Sequence, residues 1–206
     1  MAVNLVSIVT QFLSPDLVAR IASALGLDLS AAQKAIGGSV PAILAGLVGV
    51  ASKPEGARQL SSVLAQQSPN ILDNLTSVIG GSAQKTFAES GSNLLSTLLG
   101  GGATNALATS ISKFAGISGS ASSSLVGMLG PVVLGVLGKE QRSSGLDAGG
   151  LASLLQSQKD QIAAAIPSGL ADRLGGSGLL SALDSGLRRG AAASAAAMSG
   201  GTAFPI

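Results

Sequence analysis

The sequence predicts an all-α fold, a multihelical bundle of two tandem repeats with kinked central helices that contain Gly and Pro. Three observations support this prediction. Apolar residues recur at helical spacing between residues that favour helix ends. No stretch shows sustained alternation of apolar and polar residues, so we expect no β-sheet. The chain also matches itself at an offset of ninety residues, which is typical of a duplicated structural unit.

The internal match aligns residues 5–48 with residues 95–138 without a gap. Three aligned pairs join residues with special backbone preferences: Gly26 with Gly116, Gly37 with Gly127, and Pro41 with Pro131. The match resumes after one extra residue, with 60–64 over 151–155. We therefore predict two helical repeats that fold as one domain, short C-terminal helices and a flexible Ala/Gly/Ser-rich tail, at residues 1–90, 91–167, 168–189 and 190–206 respectively.

Helix-end signals divide the start of the first repeat. Ser14 is a typical N-cap residue, and Pro15 follows it at the first helical position. Gly26 suits the left-handed conformation that ends many helices. The next helix is predicted from Ser30 to Ala51.

Two shorter helices complete the repeat. Ser52 with Glu55 resembles a capping box that starts a third helix. Residues 68–69, a Ser-Pro pair, open a fourth helix. The second repeat follows the same plan, and the triple glycine at 100–102 is expected to break a helix.

The second helix of each repeat is the centre of the predicted fold. No charged residue occurs between Lys34 and Lys53 or between Lys113 and Lys139, and apolar residues occur on every side of both helices. Such a helix is either buried in a protein or embedded in a membrane. We favour a protein core because the strongly apolar runs are shorter than the roughly 20 residues that a spanning helix needs.

Each central helix contains an interior proline that predicts a kink. A proline ring collides with the carbonyl group four residues earlier. That position is Gly37 for Pro41 and Gly127 for Pro131. Because glycine lets the backbone bend away, we predict a structural kink at each site and expect packing to hold these weak helices in place.

Composition excludes several classes of site. The chain has no Cys and no His, so it lacks the usual zinc ligands, thiol nucleophiles and the commonest general base. It has four Phe but no Trp or Tyr, and only 11% charged residues. This favours neither base stacking nor phosphate binding, and we expect no nucleic-acid partner. We predict no catalytic, cofactor-binding or metal-binding residues, and no cofactor.

The ten carboxylates of the chain are its candidate groups for acid/base catalysis. A general acid/base pair needs two carboxyl groups that converge in a pocket, and no such pair is visible in the sequence. Helix capping and solvation are the ordinary explanations for acidic residues at helix starts. We therefore expect the chain not to be an enzyme. The residues are Asp16, Asp28, Glu55, Asp73, Glu89, Glu140, Asp147, Asp160, Asp172 and Asp184.

Two runs of residues carry a family resemblance. The run Met128-Leu129-Gly130-Pro131-Val132-Val133-Leu134-Gly135-Val136-Leu137-Gly138-Lys139 and the preceding segment 94–101 resemble the hallmark of the YidB-like bacterial family, a domain of unknown function. The resemblance covers roughly residues 1–170. It implies a multihelical fold in a bacterial protein and brings no catalytic residues to this chain.

The functional expectation is a non-enzymatic module that acts by protein contact. A surface poor in charge and rich in Ala, Gly and Ser opposes association less than an ordinary surface does, so we expect a protein partner, foremost a second copy of the chain. A membrane-associated or membrane-inserting protein is the alternative, with a membrane surface as partner. The N-terminus shows no signal peptide. We therefore expect a cytoplasmic location, with envelope association as the alternative.

Overall fold

The computed structural model describes residues 4–68 and 70–176. Within these residues every regular element is a helix, which confirms the all-α prediction. The helices are α1 (Leu5–Phe12), α2 (Pro15–Leu25), α3 (Leu29–Ala51), α4 (Pro54–Gln66), α5 (Ile71–Val78), α6 (Gln84–Leu99), α7 (Gly101–Ala115), α8 (Gly119–Ser143), α9 (Ala148–Ser157), α10 (Lys159–Ala165) and α11 (Ser168–Gly175).

Helices α3 and α8 form the centre of the bundle. They are the longest described helices, with 23 and 25 residues, and they pack against each other. Helices α1, α2, α4, α6 and α7 pack against both of them, and α5, α9 and α10 against one. The interior is almost entirely aliphatic, because the large side chains that are fully buried there are Leu, Ile and Met. Burial of this apolar surface is the main stabilising term of the fold.

The central helices also have the dimensions of membrane spans. Helices α3 and α8 are long and apolar enough to cross a bilayer. The strongly bent pair α1 and α2, at 69° to each other, would count as a third span if taken as one. In the bundle, however, 78% of the most apolar window of α3 and 89% of that of α8 are buried inside the protein. The lipid-facing surface that a span needs is therefore turned inward here.

Helix ends agree with several sequence predictions. Ser14 caps α2 by accepting a hydrogen bond from the amide of Leu17 at 3.4 Å, and Pro15 is the first residue of that helix. Gly26 ends α2 with φ of 64°, and Gly116 ends α7 with φ of 70°. These two left-handed glycines lie at positions aligned by the internal match. The duplication itself stays a prediction, although these matched helix ends are consistent with it.

Of two further predictions about helix ends, one was wrong. Lys53, not Ser52, is the N-cap of α4, and no side chain caps that end. The hydroxyl of Ser52 donates instead to the carbonyl of Val48 at 2.8 Å, because α3 continues to Ala51 and keeps Ser52 beside its last turn. The predicted helix break at the triple glycine is confirmed, because Gly100, with φ of 90°, separates α6 from α7, which begins at Gly101.

The predicted segments can be placed only in part. Helix α6 runs without interruption across the predicted boundary between residues 90 and 91. Helix α11 lies in the predicted region of short C-terminal helices, whereas the rest of that region and the predicted tail at 190–206 lie outside the described residues. Pro41 and Pro131 lie inside α3 and α8, which both continue through the proline. The predicted kinks stay predictions.

Candidate helix-docking groove on α3

Helices α6 and α8 cross with their backbones in contact at two glycines. A Cβ atom built on Gly91 of α6 would overlap the carbonyl oxygen of Gly127. A Cβ atom built on Gly127 would overlap the carbonyl oxygen of Ala88. Only residues without a Cβ permit this approach. Gly91 and Gly127 are therefore required by the crossing, whatever their effect on helix curvature.

Neighbouring residues extend the crossing along both helices. A Cβ on Gly91 would also lie 2.6 Å from Cδ of Pro131, and one on Gly130 would lie 2.8 Å from Cδ1 of Leu95. Ser92 of α6 also faces Gly127. Helix α6 thus presents small residues at positions 88, 91 and 92 and a large apolar residue at position 95 to the glycine-proline face of α8.

The equivalent face of α3 is covered only in part among the described residues: α1, whose residues 5–9 align with the end of α6, packs on α3, but no described helix lies over Gly37. Gly37 aligns with Gly127, but a Cβ atom built on Gly37 would meet nothing within 4 Å. Gly37 is exposed, whereas Gly127 is buried. The position ninety residues before Gly91 is Met1, which lies outside the described residues. The two glycines are equivalent in the internal sequence match but differ in burial in the structure.

The open face of α3 forms a shallow groove, here called the α3 groove, of about 170 Å³. Its base is apolar, since Val40 is 2% and Ile36 6% exposed. Thr10 and Gln33 are exposed at its rim. The groove is lined by residues of the first three helices: Val6, Thr10, Leu13, Val18, Gln33, Ile36, Gly37, Val40 and Pro41.

Helix α11 packs against α7 and contacts α3 through Leu170. Cδ2 of Leu170 would lie 2.9 Å from a Cβ atom on Gly38, the residue after Gly37. Leu170 is fully buried, and the ring of Phe114 packs against the same glycine. The amino group of Lys34 lies 5.1 Å from the centre of the Phe114 ring, within the range of a cation–π contact. The last described helix of the chain is thus held against α7 and the buried side of α3 at Gly38.

Larger clefts offer no constellation for catalysis or metal binding. A cleft of about 740 Å³ between α2, α6 and α8 is lined mainly by small polar residues together with Lys85 and Glu89, whose side chains are exposed. Of the nine carboxylates in the described residues, eight are exposed and Glu140 is half-buried. Residues 4–68 and 70–176 hold no group of three His, Cys, Asp or Glu that suits a metal ion. The tenth carboxylate, Asp184, lies outside the described residues.

The four predicted kink residues thus fall into two different settings. Gly127 and Pro131 meet α6, whereas Gly37 and Pro41 line the α3 groove. The sequence analysis did not identify Gly91, the partner that makes the crossing. The available signal was the position of Gly91 in the middle of a helical segment, where a glycine weakens the helix and often marks the close approach of another backbone.

Comparison with known proteins supports the resemblance of the hallmark residues. The model of a bacterial family of unknown function (DUF937) matches residues 7–140, a range that includes α3, the lining of the α3 groove except Val6, and most of α8. No curated protein matches the chain. No solved structure matches it either. The match extends over more than half of the sequence, and the chain belongs to the bacterial family of unknown function DUF937.

Proposed function

We propose that the chain is a non-enzymatic helical module that self-associates by docking a helical segment in the α3 groove. The observation that carries the proposal is the contrast between Gly127, which is covered by α6, and Gly37, which no described residue covers. If the two halves arose by duplication, the same glycine-proline face occurs twice, and a described helix covers the glycine in only one of the two copies.

The chemistry of the groove supports a protein segment as the ligand. Its base is aliphatic, and its rim carries uncharged polar side chains. A docked helix would remove Gly37 and the remaining apolar edges from water, which favours association. The chain has only 11% charged residues, so electrostatic repulsion between copies is weak. Exposure of the described carboxylates gives no support to a catalytic role.

Sedimentation velocity over a range of concentrations tests this proposal. We expect the wild-type chain to shift toward larger species as concentration rises. Gly37→Leu should weaken this association about tenfold or more, equivalent to about 1.4 kcal/mol, because the side chain blocks backbone approach. Gly102→Leu is the matched control, since Gly102 is also an exposed helical glycine with nothing within 4 Å of a built Cβ. A wild-type chain that stays monomeric at every concentration would contradict the proposal.

Membrane association is the second candidate, and the dimensions of α3 and α8 favour it. Both helices are long and apolar enough to span a bilayer. Insertion would require them to exchange their contacts inside the bundle for lipid. Such a protein would work at the envelope rather than as a cytoplasmic module. Flotation with liposomes of neutral and anionic composition tests this candidate, and a chain that stays at the bottom of the gradient with both lipids rules it out.

A further inference from the structure

We propose that the occupant of the α3 groove is the Leu29 side chain of a second copy, carried on the first turn of that copy's α3. This inference rests on the proposed function and names the residue that enters the groove. In the dimer, two α3 helices cross antiparallel about a twofold axis at Gln33, and Leu29 of each copy lies on Gly37 of the other. The packing of the other central glycines, the exposure of Leu29 and the size of the groove carry the inference.

Leucine side chains cover glycines at several places on the central helices. At three of these glycines the missing Cβ leaves a depression, and a leucine methyl group lies 2.8–2.9 Å from where the Cβ would be. This contact needs a glycine on only one of the two helices, unlike the backbone-to-backbone crossing at Gly91 and Gly127. Leucine is thus the side chain that the bundle itself places on such glycines. The pairs are Leu170 on Gly38, Leu99 on Gly46 and Leu95 on Gly130.

Leu29 is the leucine that the described bundle does not bury. It is 49% exposed, and no other large apolar side chain is exposed in residues 4–68 and 70–176. Leu29, Gln33 and Gly37 follow one another at intervals of four residues, and so form one row on the surface of α3. Leu29 and Gly37 are about 12 Å apart along the helix axis, so they cannot touch within one chain. An exposed leucine and a glycine that no described residue covers can therefore meet only between two copies.

The α3 groove has the size and polarity for one leucine side chain. Its volume is about 170 Å³, and a cavity of about 150 Å³ is enough to hold benzene. Ile36 and Val40 form an apolar base, and none of the lining residues is charged. The amino group of the neighbouring Lys34 lies 5.1 Å from the centre of the Phe114 ring of α7. Leu29 would therefore leave water for apolar contacts without desolvating a charge.

A twofold axis at Gln33 satisfies both copies at once. When two antiparallel helices face each other at position 33, position 29 of one copy faces position 37 of the other, because both are four residues from the axis. Each groove then receives one leucine, and the same surface is used on both copies. Gln33 is exposed, and its amide group both donates and accepts, so the two copies of Gln33 can bond to each other. Such a contact closes on itself and predicts dimers rather than open chains.

Complementation between two variants tests the contact. Leu29→Ala removes the leucine and Gly37→Leu blocks its position, so each variant should self-associate at least about tenfold more weakly than the wild type. A mixed dimer keeps one wild-type contact, and its other contact places the smaller residue at 29 against the larger residue at 37. We expect the mixed pair to bind at least about fivefold tighter than either variant binds itself. Sedimentation velocity with one variant labelled measures all three affinities.

Leu154→Ala is the matched control for loss of a leucine. Leu154 is a half-buried residue of α9 and does not line the α3 groove. Its truncation should leave self-association as in the wild type. An equal weakening by Leu154→Ala and Leu29→Ala would mean that Leu29 has no special part in the interface, and it would overturn the inference.

Single cysteines test the register of the two helices. The chain has no cysteine, and Gln33→Cys places one thiol at the twofold axis. Ser30 is also exposed on α3, but its two copies would lie about 9 Å apart along the axis, beyond the roughly 7 Å between Cα atoms that a disulfide allows. We expect Gln33→Cys to form linked dimers at least about tenfold faster than Ser30→Cys. Similar rates would indicate a parallel pair and contradict the register.

The outcomes separate this inference from the proposed function. Weak self-association of both variants, recovery in their mixture and rapid linkage of Gln33→Cys support it. If the wild type never self-associates, the proposed function and this inference are both wrong. If Gly37→Leu weakens association but Leu29→Ala does not, another surface of the second copy occupies the groove, and only this inference fails. Weakening by both variants without recovery in the mixture also overturns it, because Leu29 and Gly37 then do not meet.

Discussion

Gly91 of α6 and Gly127 of α8 meet backbone to backbone, so that a Cβ on Gly91 would overlap the Gly127 carbonyl oxygen. This contact explains why a glycine, a weak helix former, lies in the middle of each of these two helices. Each glycine costs its helix about 1 kcal/mol relative to alanine. The close approach of two long helices offsets that cost through the packing of the side chains around the crossing.

Gly127→Ala tests the crossing. The added methyl group has no room because the carbonyl of Ala88 occupies its position, so α6 and α8 must move apart. We expect the free energy of unfolding to fall by about 1–3 kcal/mol, despite the better helix propensity of alanine. Urea denaturation followed by circular dichroism measures it, and an unchanged midpoint would show that α6 does not press on Gly127.

Gly37→Ala is the matched substitution at the aligned position of α3. No described residue lies within 4 Å of a Cβ built there, so among the described contacts only helix propensity changes. We expect the free energy of unfolding to rise by about 0.5–1 kcal/mol, in the same urea experiment. Destabilisation as large as that of Gly127→Ala would mean that Gly37 is covered within the monomer by something that the described residues do not include.

Ser122→Ala tests the contact between α7 and α8. The hydroxyl of Ser122 is buried and donates to the carbonyl of Ala108 at 2.5 Å, across the two helices. Its loss should lower the free energy of unfolding by about 1 kcal/mol. Ser39→Ala is the control, because the buried hydroxyl of Ser39 bonds only within α3, to the carbonyl of Ala35 at 2.6 Å. A larger loss of stability in Ser39→Ala than in Ser122→Ala contradicts this assignment.

Leu170→Ala tests the attachment of α11 at Gly38. Leu170 is fully buried and packs against Gly38. We expect its truncation to lower the free energy of unfolding by about 2–5 kcal/mol and to increase amide hydrogen exchange in residues 168–175 more than in α8. Uniform exchange changes across the bundle would indicate that α11 does not unfold as a separate unit.

The sequence was sufficient to predict helix ends that depend only on the backbone preferences of nearby residues. Ser14, Pro15 and Gly26 determine the two ends of α2 through their own backbone preferences, and the structure confirms them. The capping box at Ser52 failed because the Ser52 hydroxyl bonds back to the carbonyl of Val48 in α3, and Lys53 is the N-cap of α4. The absence of period-two patterning was likewise enough to exclude strands from the described chain.

The α3 groove could not be predicted from the sequence, because it depends on contacts between helices that are far apart along the chain. Gly37 and Gly127 occur in the same pattern, each four residues before a proline. What distinguishes them is which helix lies over each one, and this depends on how α6 crosses α8 far along the chain. The sequence identifies positions that tolerate close approach, whereas only the packed bundle shows which of them has a partner.

The reactivity of a single thiol at the rim of the α3 groove tests the central claim most directly. Gln33→Cys and Glu55→Cys each introduce the only cysteine of the chain at an exposed position, and alkylation is followed by mass spectrometry. If a segment covers the groove, Gln33→Cys reacts several times more slowly than Glu55→Cys under native conditions, and Gly37→Leu in the same chain removes the difference. Equal alkylation rates of the two thiols at every protein concentration would show that nothing docks at Gly37.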